Sequence, residues 1–147
     1  MRPTSFPLGV RPSNAYGSPL AKKLGIKEGQ RVAFPAAPDG FERLIGELPD
    51  GVTVKSRAVG PLDLIVSFTR SRAELERRLP ALRRAMEPAA GLWIAWPKRS
   101  SSVETDLTED VARELGLANR LVDNKVRAID ETWSGLRLVI RLKDRPQ

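Results

Sequence analysis

Residues Leu62 to Phe68 read LDLIVSF, a run that is apolar on both faces of an extended strand. A strand with one wet face alternates apolar and polar residues. A strand apolar on both sides needs cover on both sides, which is the situation of a central strand in a parallel sheet flanked by helices. That single segment restricts the chain to a layered α/β architecture.

The neighbouring segments fit the same scheme. Ser18-Pro19 reads as an N-cap followed by a first-turn proline, and Gly25-Ile26 as a left-handed stop, so a helix of about two turns is expected between them. Arg31 to Pro35 is expected as a strand, Phe41 to Leu48 as a helix and Val52 to Ser56 as a second strand. Ser71 and Glu74 form a capping-box pattern before a helix striped by Leu75, Leu79, Leu82 and Met86, with a kink or restart expected at Pro80.

Gly91 then releases the chain into a strand, Leu92 to Trp96. A helix carrying Leu107, Val111 and Leu115 should close at Gly116-Leu117. Lys125 to Asp130 and Leu136 to Leu142 read as strands joined by ETWSG, an antiparallel hairpin. Together these segments predict a three-layer, Rossmann-like and mostly parallel sheet ending in a C-terminal antiparallel hairpin. Residues 1–17, with three prolines and no periodicity, read as a flexible arm, and residues 18–147 as a single domain.

Composition removes several kinds of chemistry. The chain has no Cys and no His, which excludes a thiol nucleophile, an imidazole base, a Ser-His-Asp triad and the usual zinc ligands. No segment approaches the roughly 20 apolar residues of a membrane span, and the opening MRPTSFPLGVRPSNAYG lacks the apolar core of a signal peptide, so a cytoplasmic protein without membrane contact is expected. A formal charge of +7 predicts attraction to anions.

Two stretches carry candidate binding groups. AWPKRSSSVETDLTED, residues 95–110, leaves the carboxyl end of a strand, where ligands collect in open α/β sheets. Trp96 would offer a stacking wall, Lys98 and Arg99 charge, and Ser100, Ser101 and Ser102 hydroxyls, while the N–H groups of the following helix favour an anion. The competing explanation is structural: Asp106 and Glu109 read as a capping box for that helix. Glu104, Asp106, Glu109 and Asp110 match no ligand-loop spacing, and no metal is expected.

The second stretch is Asp130 to Gly135. If the strand before it runs parallel to the one ending at Trp96, then Asp130, Glu131 and Trp133 reach the same rim as Lys98 and Arg99. A basic helix bearing Arg72, Arg77, Arg78, Arg83 and Arg84, with Arg70 just before it, is the alternative, a surface for nucleic acid or a protein partner. Pairing of Glu74 with Arg78 and an aromatic share of 5% argue against nucleic acid there.

The segment EPAAGLWIAWP resembles the stretch leading into the fifth strand of class I S-adenosylmethionine methyltransferases, and the closing helix, strand, strand order is similar to theirs. The strings SPLAKKLGI, PDGF, RSRAEL, AWPKRSSSVETDLTED and DETWSGLRLVIRLKD resemble those of a bacterial domain-of-unknown-function family of similar length. The resemblance implies a degenerate, truncated methyltransferase-like fold, without the third strand and its helix. The family's cofactor pattern is not matched. The first turn reads PAAPDGF instead of a glycine-rich loop, and the second strand ends Lys55-Ser56-Arg57 instead of in an acid. S-adenosylmethionine is therefore not expected, and a small anionic or nucleotide-like ligand at the rim, without recognisable catalytic apparatus, is; a small S-adenosylmethionine-dependent methyltransferase with an altered cofactor site is the alternative that the resemblance implies.

Overall fold

The computed structural model describes residues 16–146. Most of the expected arm, residues 1–15, lies outside the described residues. The elements in order are α1 (Pro19–Leu24), β1 (Arg31–Ala33), α2 (Phe41–Ile45), β2 (Thr53–Lys55), β3 (Leu62–Phe68), α3 (Arg72–Ala85), β4 (Met86–Pro97), α4 (Glu109–Ala118), β5 (Leu121–Ala128) and β6 (Trp133–Ile140).

The six strands form one sheet in the order β2-β1-β3-β4-β6-β5. β1 pairs in parallel with β2 and β3, β3 pairs in parallel with β4, and β6 inserts antiparallel between β4 and β5. β3 is buried along nearly its whole length, as its doubly apolar sequence requires. The architecture is the mixed α/β sheet with a C-terminal antiparallel hairpin that the sequence predicts.

Two apolar clusters fill the two sides of the sheet. Ile65, Leu92, Ile94, Leu136 and Leu138 pack with Leu75, Leu79 and Leu115, beneath α3 and α4. Leu64, Val66, Phe68 and Trp93 pack with Ala21, Leu24, Phe41 and Ile45, beneath α1 and α2. Each face of β3 and β4 is therefore covered, which completes three layers.

Local chemistry accounts for most boundaries. Ser18 Oγ accepts from the Ala21 N–H at 3.0 Å, and Gly25 ends α1 at φ 85°. Ser71 Oγ accepts from the Glu74 N–H at 3.3 Å, but the reciprocal half of the expected capping box is absent: the Glu74 carboxylate accepts from Thr69 Oγ1 at 2.9 Å and pairs with Arg78 at 3.2 Å.

Three expectations need correction. α3 does not restart at Pro80 but continues as one helix from Arg72 to Ala85. Gly116 does not stop α4, which continues to Ala118. A Cβ on Gly116 would stand 2.9 Å from a Leu138 methyl, so the glycine lets the helix settle onto β6. β4 starts at Met86, directly from α3, before Gly91.

Arg31 and Asp63 tie the start of β1 to β3. The Asp63 carboxylate accepts from Arg31 Nε at 3.0 Å, Nη2 at 3.1 Å and the backbone N–H at 2.8 Å, and Glu87 accepts from Nη2 at 3.1 Å. The Arg31 guanidinium holds the Asp63 carboxyl below the usual carboxylate range, against a smaller opposing effect of burial. Because the folded-state value is the lower one, the stabilisation is full above the unfolded value near 3.8 and is lost as pH falls through the folded value. Asp63→Asn is expected to lower stability by about 1 kcal/mol at pH 7, the pair being partly solvated. Melting temperatures of the two proteins should then converge as pH falls below 3.8 and through the lower folded-state value, and a gap that stays constant with pH would contradict this.

Candidate functional site

A cleft of about 920 Å³ opens at the carboxyl ends of β3 and β4 on the α3 and α4 side. Arg70 and Ser71 form one wall, Trp96, Pro97 and Ser134 the floor, and Lys98, Arg99 and Val103 to Glu109 the other wall. This size lies within the range of small-molecule sites.

The second wall is fastened to the first. Thr105 Oγ1 donates to the Arg70 carbonyl at 2.7 Å, and the Asp106 carboxylate accepts from the Arg72 N–H at 2.8 Å. Asp106 therefore caps α3, from 34 residues away. This corrects the expected capping box: the N-cap of α4 is Thr108, whose Oγ1 accepts from the Val111 N–H at 3.2 Å. Glu109 and Asp110 turn instead to Arg113, at 2.5 Å and 3.0 Å.

The hairpin does reach this rim. β5 is antiparallel to β6, which is antiparallel to β4, so β5 and β4 run the same way. Lys98 N–H donates to the Thr132 carbonyl at 2.7 Å, and Ser134 pairs with Trp96. Trp96, Lys98 and Arg99 line the cleft, although Trp96 is only 6% exposed, too little for the stacking wall expected of it.

Other predicted residues go elsewhere. Ser101 Oγ donates to the Lys98 carbonyl and accepts from the Val103 N–H, closing its own turn. Ser100 and Ser102 are exposed outside the lining. Asp130 Oδ1 accepts from the Thr132 and Trp133 N–H groups at 2.8 Å and 2.7 Å, and Glu131 is exposed. Trp133 is the first residue of β6 instead of part of a loop. Strand alternation puts it on the face opposite Trp96 and Ser134, where its ring meets Phe68 edge-to-face at 5.0 Å.

On α3, Arg72 pairs with Glu76 at 3.3 Å and Arg78 with Glu74, while Arg77 and Arg84 are exposed and Arg83 keeps a buried Nε without a hydrogen-bond partner. Thr105 and Ser134 fall within the two stretches that the sequence singled out but were given no role of their own, Ser71 was read only as a cap, and Arg70 was assigned to the basic helix instead of the rim. Arg70 was within reach: it follows the carboxyl end of β3, and the rule applied to Trp96 applies there equally.

The crevice where the chain switches direction, between β1 and β3, is lined differently. Phe34, Phe41 and Phe68 follow one another edge-to-face at centroid distances of 5.0 Å, and Phe41 and Phe68 are 3% and 1% exposed. The turn between β1 and α2 has a single glycine, Gly40, at φ 85°.

No protein-family model matches the chain, and no curated protein sequence matches it. Solved structures do. A S-adenosylmethionine-dependent methyltransferase from Aquifex aeolicus is 16% identical, with a TM-score of 0.61 over 82% of this chain and 87% of that one. Magnesium protoporphyrin IX methyltransferase from Synechocystis, with bound S-adenosylhomocysteine, is 9% identical, with a TM-score of 0.58 over 83% of this chain and 78% of that one.

The fold is thus methyltransferase-like, and these comparisons correct the sequence-based argument against S-adenosylmethionine. That argument rested on a missing glycine-rich turn, a missing acid and a missing third strand with its helix, yet enzymes that bind the cofactor or its product share the fold across more than four-fifths of the chain. A departure from the usual turn does not remove the cofactor class from consideration.

Proposed function

We propose that the chain is a small S-adenosylmethionine-dependent methyltransferase with an altered cofactor site, its ligand held in the cleft between the β3–α3 turn and the β4–α4 loop. The observation that carries this reading is the 920 Å³ cleft at the carboxyl ends of β3 and β4 in a sheet of methyltransferase type. The β1–β3 crevice fits the cofactor poorly, because aromatic rings fill it and no glycine-rich turn brings backbone N–H groups forward.

The rim cleft fits better. Arg70 and Lys98 supply positive charge for a carboxylate, and exposed Glu104 supplies negative charge for an amino or sulfonium group. When bound, the cofactor supplies an electrophilic methyl group. Without His or Cys, the proton acceptors of the cleft are carboxylates, and with Asp106 bonded to the Arg72 N–H and Glu109 to Arg113 that role falls to Glu104.

Isothermal titration with S-adenosylmethionine and S-adenosylhomocysteine tests the reading. Micromolar binding is expected, weakened about tenfold by Glu104→Gln and by Lys98→Ala, since one charge-assisted hydrogen bond is lost in each. Absence of heat up to millimolar cofactor would reject it. A second reading, a small anion held by Arg70, Lys98 and Arg99, would be favoured if inorganic phosphate or a nucleotide bound there and the cofactor did not.

A further inference from the structure

β5 and β6 are covered by a helix on one side. Leu136, Leu138 and Ile140 point beneath α3 and α4 and are buried, whereas Arg137 and Val139 between them are half-buried. Beyond Leu121, β5 is half-buried or exposed throughout. On the open side, Lys23 of α1 donates to the Ala128 carbonyl at 2.7 Å, and the outward side chains of both strands keep contact with solvent.

That open side is basic. Arg137 stands opposite Lys125 on β5 and opposite Trp93 on β4, and Arg127 stands opposite Gly135, two positions along the same face. Directly opposed residues have Cβ atoms about 4.5–5.5 Å apart, so Lys125 and Arg137 belong to one patch, with Lys125 on β5 and the Arg137 guanidinium reaching the other way, across β4. The Arg137 guanidinium lies over the backbone of Gly91, where a Cβ would come within 2.6 Å of its Nε and Nη2.

Arg137 has no compensating acid among the described residues. Burial pushes its guanidinium below the usual arginine range, and neighbouring Arg145 acts in the same direction. The carboxylates of these strands and the turns beside them are engaged elsewhere: Asp123 on the α4 side with Arg113 at 3.2 Å, Asp144 with Arg141 at 3.1 Å, and Asp130 with its own turn. A partly desolvated cation without a counter-charge opposes folding, and an incoming anion would relieve that cost.

We propose that the open face of β5 and β6, centred on Arg137 and flanked by Lys125 and Arg127, binds the phosphodiester backbone of a nucleic acid. The face is a sheet surface and not a cavity, which disfavours a small ligand. Trp93 beneath it is fully buried, and the half-buried Trp133 at the far end of the same face of β6 is packed edge-to-face on Phe68, so the centre of the face offers charge and no free ring. What it offers is charge on an extended strand pair, the chemistry of sequence-independent backbone contact, in a chain of net charge +7. The site is separate from the rim cleft and from the basic helix α3.

Fluorescence anisotropy with a labelled oligonucleotide of about 20 nucleotides, between 50 and 200 mM salt, tests this. Binding is expected to weaken with salt at a logarithmic slope of about −3, for roughly three neutralised phosphates. Arg137→Met should weaken binding about tenfold and reduce the slope by about one, and Lys125→Ala combined with Arg127→Ala should do more. Arg77→Ala with Arg84→Ala on α3 should leave binding unchanged.

Arg137→Met should melt at or above the wild-type temperature, because it removes an uncompensated cation. Salt-independent or undetectable binding, or loss caused by the α3 variant and not by Arg137→Met, would overturn the proposal. So would a lower melting temperature for Arg137→Met, which would make the arginine a folding element.

Discussion

Trp93→Ala is expected to cost about 3–5 kcal/mol of folding stability, a large part of what a domain of this size possesses. Trp93 is fully buried on β4 under α1, and its Nε1–H donates to the carbonyl of Leu24, the last residue of α1, at 2.8 Å. The substitution removes the packing of an indole. It also orphans a carbonyl at a helix end, one of the groups a helix cannot satisfy internally. Trp93→Phe separates the two effects, since it keeps most of the ring and should cost about 1–3 kcal/mol, chiefly for the unpaired carbonyl. Urea denaturation measures both. A loss under about 1 kcal/mol for the alanine variant would mean that α1 is not held to the sheet through this residue.

The second large effect is expected at Phe68. Its ring is 1% exposed, ends β3 and touches Phe41 on one side and Trp133 on the other, each at 5.0 Å. Phe68→Ala should cost about 3–5 kcal/mol for the cavity, and the lost edge-to-face contacts contribute about 0.5–1.5 kcal/mol each within that range. Trp133 would lose its support, so its emission should move to the red. Because Trp133 and the rim cleft lie on opposite faces of the sheet, cofactor binding at the cleft should change little once the variant is folded. Loss of cofactor binding in parallel with stability would place the ligand at the β1–β3 crevice instead.

The fold was legible where the sequence carried a burial constraint. LDLIVSF can be covered on both sides only within a layered sheet, and its strand bounds coincide with those expected. Turn chemistry was legible at Ser18 and Gly25, whose signals act within a few residues. What escaped were features set by partners distant in sequence. Gly116 has the look of a helix stop, but Leu138 on β6 decides its role. Asp106 sits where a cap for α4 is expected, but the orphan N–H it satisfies is that of Arg72 on α3.

The candidate site was legible for a similar reason only in part. The carboxyl-end rule located Trp96, Lys98 and Arg99, because it depends on strand direction alone. It placed Trp133 with them since it treated residues 131–135 as a loop. Once β6 begins at Trp133, alternation assigns it and Trp96 to opposite faces. The open face of Arg137 was invisible in sequence, because an arginine within an alternating strand ordinarily reads as solvated.

The most direct test of the central claim is an amide correlation spectrum of the isotope-labelled protein titrated with S-adenosylmethionine. The account predicts shifts at Arg70, Thr105 and Ser134 and at the Trp96 indole, with Phe34, Phe41 and residues 55–57 unaffected. Shifts confined to those latter residues, or no shifts at saturating cofactor, would contradict it.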